Sequence, residues 1–249
     1  MRRYKEAGVE GIGVWRQKLS DFGEEKGIEL LLESGLQVSS LLWAGGFTGS
    51  EGKSEKESVE DAKEAIRLAS AMDAGCLILY SGPRAGHTHN HARRLMRSAL
   101  DAILPLADEV DLNLAIEPMH EGCAADWTFL TEIDETIALL GAYDSPHFKL
   151  AFDTYHLCQN GSVLARLTEL VPRIAIVQLG DAKEPPQGEP NRSTLGEGNL
   201  PLADVVKTLE NAGYQGFYDI ELMGEEIEQT SYDDLLAQSK QAFARLLAA

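Results

Sequence analysis

The sequence predicts an α/β fold, specifically a (β/α)8 TIM barrel that lacks its first strand in this chain. Seven short apolar segments alternate with amphipathic helical stretches along the 249 residues. This single alternation indicates parallel strands that are covered by helices. No glycine-rich turn follows the first apolar segment, which argues against an open nucleotide-binding sheet and favours a closed barrel.

The predicted strands are nearly continuous in apolar residues, as expected for strands buried on both faces. They lie at 11–15, 38–43, 76–82, 112–118, 149–153, 174–181 and 218–222. Helices are predicted at about 19–34, 57–73, 88–108, 129–142, 161–171, 201–212 and 231–248. The second helix has the clearest boundaries, because Ser58 can cap it, Asp61 occupies the capping-box position and Gly75 follows its end.

The strand count is one short of a complete barrel. Residues 1–8 resemble the end of a helix, and no strand precedes them. We expect either that upstream residues are missing, or that the barrel closes with seven strands or borrows one from a partner, since unpaired edges favour association. Residues 1–249 are interpreted as a single domain. Within it, the polar segment 181–201 is predicted to be a functional or mobile loop.

Composition narrows the class of protein. The net charge is −18, which disfavours nucleic acid and anionic membranes as partners. Three widely spaced cysteines without a CxxC motif predict free thiols in a reducing compartment. No apolar run is long enough to span a membrane, and the first residues do not resemble a signal peptide. These features predict a cytoplasmic protein, with a homo-oligomer as a further expectation.

Oxygen-bearing side chains stand at the ends of four consecutive predicted strands. Glu117 ends the fourth strand, Asp153 the fifth, Gln178 and Asp181 follow in the sixth, and Glu221 lies in the seventh. The carboxyl ends of barrel strands form the rim that carries the active site, so these side chains are expected to converge. Carboxylates gathered in a barrel mouth with no nearby lysine are costly unless they bind a cation.

The ligand types predict which cation binds at this rim. Two glutamates, one aspartate and one amide oxygen form an all-oxygen set, which hard divalent ions prefer. We therefore expect Mn²⁺ or Mg²⁺, with Co²⁺ also tolerated. A structural zinc site would instead use thiolate or imidazole ligands.

Several segments near the predicted rim resemble those of a known family. They are AIEPMH (115–120), FDTYH (152–156), VQLGD (177–181) with NRSTLGEGNLP (191–201), and YDIEL (218–222). The ordered set is similar to the sugar isomerase/epimerase family with xylose-isomerase-like TIM barrels, a superfamily that also contains endonuclease IV. The resemblance implies that Glu117, Asp153, Gln178 and Glu221 are metal ligands, and that Glu117 and Glu221 act as the acid and base.

Further residues are expected to contact a small carbohydrate-like substrate. The resemblance implies this role for His156 and Arg192. Trp15 and Trp43 follow predicted strands near the mouth, where they form either core caps or a hydrophobic substrate wall. His120 either hydrogen-bonds substrate or faces the next loop. The histidines of HTHNH (87–91) are interpreted as part of a solvated loop rather than as metal ligands.

The predicted reaction is isomerisation or epimerisation of a small sugar or polyol ketone. A glutamate removes the proton α to a carbonyl, and a divalent ion stabilises the enediolate. Gln178 departs from the histidine usual in the epimerases and matches 3-dehydroshikimate dehydratases, so a dehydratase is the alternative. A non-catalytic sugar-binding barrel is the second alternative. Endonuclease activity ranks last because the chain is acidic.

Overall fold

The computed structural model describes residues 1–50, 52–188 and 190–248. These residues contain one sheet of seven parallel strands in the order β1 to β7. The strands are β1 (Gly11–Trp15), β2 (Gln37–Gly45), β3 (Cys76–Tyr80), β4 (Asn113–Ile116), β5 (Phe148–Asp153), β6 (Ile174–Leu179) and β7 (Phe217–Ile220). Each lies within or overlaps a predicted apolar segment, and the predicted TIM-barrel fold is confirmed.

Helices separate the strands along the chain. They are α1 (Arg2–Glu6), α2 (Arg16–Phe22), α3 (Glu24–Ser34), α4 (Glu55–Ala71), α5 (His89–Glu109), α6 (Ile133–Leu140), α7 (Thr154–Leu157), α8 (Leu167–Leu170), α9 (Leu202–Asn211), α10 (Glu225–Glu228) and α11 (Tyr232–Leu247). The helix predicted at 19–34 is two helices, because Gly23 adopts a φ of 102° between α2 and α3. None of the helices in the described ranges combines the length and apolarity needed to cross a membrane.

The N-cap of helix α4 lies one turn earlier than the sequence predicts. Its cap is Ser54, whose hydroxyl accepts the Glu57 N–H at 3.3 Å, while the Glu57 carboxylate accepts the Ser54 N–H at 2.8 Å. This reciprocal pair is a capping box. Ser58 is buried inside the helix, and its hydroxyl donates to the Gly46 carbonyl at 3.1 Å. The prediction that Ser58 caps the helix is therefore wrong.

Because side chains alternate between the two faces of a strand, the polar side chains at the strand ends point to the barrel interior. A small apolar cluster fills the inside, made of Leu42, Cys76, Ile78, Ala115, Ala151 and Ile176. Side chains two positions apart in a strand point to the same face. Glu117, Asp153 and Gln178 therefore continue the inner faces of β4, β5 and β6 beyond this cluster.

The barrel is nearly closed, with its opening between β1 and β7. These strands lie side by side, but no backbone ladder joins them within the described residues. A Cβ added at Gly13 would lie 2.6 Å from the Asp219 Oδ2, so glycine permits this close approach. A cavity of about 390 Å³ lies along the opening and reaches Gln178 and Glu221 at the mouth.

Candidate active site

Four polar side chains from adjacent strands meet at the carboxyl end of the barrel. Glu117 follows β4, Asp153 ends β5, Gln178 lies in β6 and Glu221 follows β7. The first three residues are at most 2% exposed, and the Glu221 side chain is 13% exposed. The structure thus brings together the residues that the sequence assigns as metal ligands.

Arg192 is a buried cation at the centre of this group. Its two terminal nitrogens donate to the two carboxylate oxygens of Asp153 at 3.1 and 2.7 Å, and Nη2 also donates to Glu221 at 3.1 Å. The guanidinium lies 4.4 Å from the ring centroid of Tyr155, a cation–π distance. Arg192 was predicted to contact substrate, and its pairing with two predicted metal ligands was not foreseen.

The carboxylates differ in the direction in which the site shifts their pKa. Burial raises the pKa of Glu117 well above its usual range, and the charges of Glu221 and Asp153 raise it further. Burial likewise raises the pKa of Glu221 to about 7, against the opposing effect of Arg192. Burial also acts to raise the pKa of Asp153, but Arg192 and His156 outweigh it, so this pKa is lowered. The single positive charge of Arg192 balances one of the three carboxylates. The negative charge of the other two must be balanced by protons or by another cation.

Gln178 leaves one buried oxygen without a partner. Its amide nitrogen donates to the Glu221 carboxylate. Its Oε1 is buried and accepts no hydrogen bond from the described residues. A buried acceptor without a donor is costly, and a bound cation or a substrate hydroxyl would satisfy it.

His156 lies beside the carboxylates as a neutral ring. Its Nε2 is 3.7 Å from Glu117 Oε1 and 3.7 Å from Asp153 Oδ2. Burial lowers the pKa of His156 to about 4. The backbone N–H of His120 points at Nδ1 at 3.4 Å, so the neutral ring carries its proton on Nε2. That N–H faces the carboxylates and is available to a substrate oxygen.

The donor set fits a divalent cation. Glu117, Asp153 and His156 each offer a ligand atom, and these atoms lie within 4.8 Å of one another, so this group could hold a metal ion. The unpartnered Oε1 of Gln178 and the uncompensated negative charge supply two more reasons for a cation here. Oxygen ligands favour hard ions, while His156 could join them only in the tautomer with an unprotonated Nε2, and its participation would also admit zinc.

An aromatic surface faces the opposite part of the mouth. Trp15 and Trp43 have ring centroids 5.2 Å apart, and Trp43 contacts Trp127 at 5.6 Å. Tyr80 extends the row at 6.0 Å from Trp127. Trp15 and Trp127 are 41% and 37% exposed, so both present ring surface to solvent. Sequence reasoning missed Trp127, although its place in the loop after the Glu117 strand was a usable signal.

The remaining candidates do not join the carboxylate group. His120 Nδ1 accepts the Gly122 N–H at 3.1 Å and faces the next loop. His87 Nε2 lies 3.1 Å from the Thr48 carbonyl, and His89 Nε2 is 2.8 Å from Glu135. Asp181 turns away from the mouth and accepts hydrogen bonds from backbone N–H groups.

Similarity to known proteins agrees with this fold. The chain is 25% identical over 212 residues to the L-ribulose-5-phosphate 3-epimerase UlaE of Escherichia coli O1:K1, covering 81% of this chain and 70% of that protein. Among solved structures, protein SMc04130 of Sinorhizobium meliloti 1021 superposes with a TM-score of 0.90 at 22% identity, covering 98% of this chain and 91% of that one. The IOLI protein, whose structure contains a bound zinc atom, superposes with a TM-score of 0.84 at 14% identity, covering 99% and 91%.

A family model described as a xylose isomerase-like TIM barrel matches residues 1–246, nearly the whole chain. The segments that resemble this family in the sequence are those that form the carboxylate group. The chain belongs to the xylose isomerase-like TIM-barrel family.

Proposed function

We propose that the protein is a divalent-metal-dependent isomerase or epimerase that moves a proton α to the carbonyl of a small sugar or polyol ketone. The observation that carries the proposal is the pair Glu117 and Glu221. Glu117 is buried and the Glu221 side chain is 13% exposed, both carboxyls have a raised pKa, and they stand on either side of the Arg192–Asp153 ion pair. The similarity to an L-ribulose-5-phosphate 3-epimerase supports the same class of reaction.

The two glutamates suit proton transfer at neutral pH. Without a metal the pKa of Glu221 is about 7. Coordination to a divalent ion would lower this pKa, and the same ion would make the α-proton of the substrate more acidic, so the glutamate could still accept it. One glutamate takes the proton from one face of the substrate, and the other returns it. Burial of Glu117 and the low exposure of Glu221 limit the water that would compete for that proton.

The neighbouring residues hold the substrate oxygens. His156 directs its Nε2–H toward the carboxylate group. Arg192 provides the only guanidinium within hydrogen-bond distance of Asp153 among the described residues. A divalent ion bound by Glu117, Asp153, Gln178 and Glu221 would polarise the substrate carbonyl. The aromatic surface of Trp15, Trp43 and Trp127 would cover the apolar face of the substrate.

A dehydratase is the second candidate, favoured by the glutamine at position 178. Elimination of water beside a ketone begins with the same α-proton abstraction, so the two glutamates serve both reactions. The Gln178 amide is also neutral, and it donates a hydrogen bond to Glu221. A histidine at this position would contact Glu221 with a different geometry.

Proton exchange from solvent tests the proposal. The protein is incubated with Mn²⁺ in D₂O with a panel of ketoses, their phosphates and 3-dehydroshikimate, and products are followed by NMR. Deuterium at the α-carbon with an epimeric or isomeric product supports the proposal. Loss of water from dehydroshikimate assigns the dehydratase instead. Sugar binding with neither exchange nor product would identify a non-catalytic barrel and refute the enzymatic proposal.

A further inference from the structure

We propose that Asp181 is a positioning residue, which orders the loop that delivers Arg192 to the carboxylate group. That loop, residues 190–200, is called here the arginine loop. The kinetic part of this proposal rests on the proposed function. The structural part does not, because it concerns only how Arg192 is held.

The Asp181 carboxylate binds the far end of the arginine loop through backbone N–H groups. Oδ2 accepts from Gly196 and Gly198, both at 2.9 Å, and Oδ1 accepts from Leu200 at 3.2 Å and from Ala182 at 2.9 Å. Asp181 is 1% exposed, and no ion pair to it occurs in the described part of the chain. Backbone dipoles therefore stabilise its charge, and such charge-assisted hydrogen bonds are stronger than neutral ones.

The turn around Asp181 has no room for other side chains. A Cβ added at Gly198 would overlap Asp181 Oδ1. Gly196 adopts a φ of 86°, which is favourable only for glycine. The Ser193 N–H also donates to the Asp181 carbonyl at 2.8 Å, one residue after Arg192. Side chain and main chain of Asp181 thus hold both ends of the Ser193–Leu200 segment.

Arg192 depends on this loop for its position. Its backbone N–H donates to the Met223 carbonyl at 2.9 Å, and the preceding Asn191 N–H donates to the Tyr155 hydroxyl at 2.8 Å. Its Nε is buried without an acceptor among the described residues, so the side chain is held by hydrogen bonds from its terminal nitrogens and by the contact with the Tyr155 ring. A Cβ added at Gly180, next to Asp181, would overlap Arg192 Nη1. Gly180 leaves the space for the guanidinium, and Asp181 holds the loop that places it there.

The first test measures whether Arg192 becomes accessible when Asp181 is changed. In Asp181→Asn one carboxylate oxygen is kept as an acceptor, and the other is replaced by an NH₂ group. That NH₂ group is a donor facing backbone N–H donors, so we expect the arginine loop to open. Trypsin cleavage after Arg192, identified by mass spectrometry, should rise roughly tenfold while the far-ultraviolet circular dichroism is unchanged. Glu197→Gln removes an exposed carboxylate from the same loop and serves as the matched control, with wild-type cleavage expected. Equal protection of Arg192 in Asp181→Asn and wild type would overturn the proposal.

The second test measures energetic coupling in a double-mutant cycle. We expect Asp181→Asn to lower kcat/KM about 100-fold, because small displacements of a positioning group are costly. In the Arg192→Gln background the same change should cost less than about threefold. Equal losses in both backgrounds would show a general structural role and overturn the proposal. If Asp181→Asn does not fold, Gly198→Ala, which crowds the same carboxylate oxygen, takes its place in both tests.

The two tests separate this proposal from the proposed function. Increased cleavage after Arg192 in a protein that turns over no ketose would support the role of Asp181 and refute the isomerase. Turnover of a ketose with Arg192 equally protected in every variant would support the isomerase and refute the role of Asp181.

Discussion

The two sides of the barrel mouth differ in chemistry and in exposure. The carboxylate side, built at the ends of β4 to β7, holds Glu117, Asp153, Gln178 and Glu221 around Arg192, and these groups are mostly buried. The aromatic side, built at the ends of β1 to β3 and by the loop after β4, holds Trp15, Trp43, Tyr80 and Trp127. Two of its tryptophans are more than one-third exposed.

This difference indicates that the two sides of the mouth have different roles. Buried charges are costly, and the charged groups on the carboxylate side stabilise one another. Changes there should therefore abolish proton transfer or metal binding. The aromatic side consists of ring contacts that each contribute modestly. Changes there should alter which substrate binds, with little effect on the chemical step.

The largest effect is expected for Glu221→Gln on the carboxylate side. The amide cannot exchange a proton with substrate, and loss of a general acid or base costs about 10²- to 10⁴-fold in rate. We expect kcat to fall by that amount while the melting temperature stays within a few degrees of wild type. Glu225→Gln changes an exposed carboxylate four residues further on and should keep full activity. Glu221→Gln with more than a tenth of wild-type kcat would remove Glu221 from the mechanism.

Arg192→Gln should destabilise the metal-free protein and strengthen metal binding. Removing one partner of a buried ion pair costs about 3–5 kcal/mol. For a chain of this size that corresponds to a fall in melting temperature of roughly 6–20 °C. Asp153 and Glu221 lose their cation, so we expect the Mn²⁺ dissociation constant to fall at least about tenfold, measured by calorimetry.

The control for Arg192→Gln is Lys183→Gln, which breaks the exposed Lys183–Glu226 pair. Exposed pairs contribute about 0–1 kcal/mol, so stability and metal affinity should stay near wild type. Unchanged Mn²⁺ affinity in Arg192→Gln would mean that the metal and the guanidinium do not compete for the same carboxylates.

The carboxylate side was largely predictable from the sequence, because strand periodicity and barrel geometry place strand-end residues at one rim. Glu117 and Asp153 followed from that rule alone. Arg192 and Asp181 show its limit: their contacts arise in a long loop without periodicity, where hydrogen bonds to backbone groups decide the conformation. Asp181 was grouped with the rim residues, yet loop N–H groups turn it away.

Helix α4 shows a different limit, which is competition between equivalent local signals. Ser54 and Ser58 each precede an acidic residue by three positions, so either could begin the helix. Burial of the Ser58 hydroxyl against Gly46 decides in favour of Ser54. The position of Trp127 in the loop after the Glu117 strand indicates the barrel mouth, but its contact with Trp43 follows only from the tertiary structure.

Gln178→His should change the metal preference of the carboxylate side. Imidazole replaces an amide oxygen, and nitrogen ligands favour zinc over magnesium. We expect the ratio of Zn²⁺ to Mg²⁺ affinity to rise about tenfold, measured by competition calorimetry. Gln241→His, at an exposed position of α11, is the matched control for the added imidazole. An unchanged ratio in Gln178→His would argue against Gln178 as a metal ligand.

The smallest effect is expected for Trp127→Ala on the aromatic side. Loss of one ring contact should raise KM for the substrate by about three- to thirtyfold, since such contacts contribute about 0.5–1.5 kcal/mol beyond the area they bury. The kcat should change less than about threefold, because Trp127 contacts Trp43 and Tyr80 rather than the carboxylates. Trp127→Phe should restore most of the affinity, and Phe22→Ala, which removes an exposed ring at the end of α2, should have no effect. A fall in kcat at constant KM would place Trp127 in the chemical step, and the division between the two sides of the mouth would then be wrong.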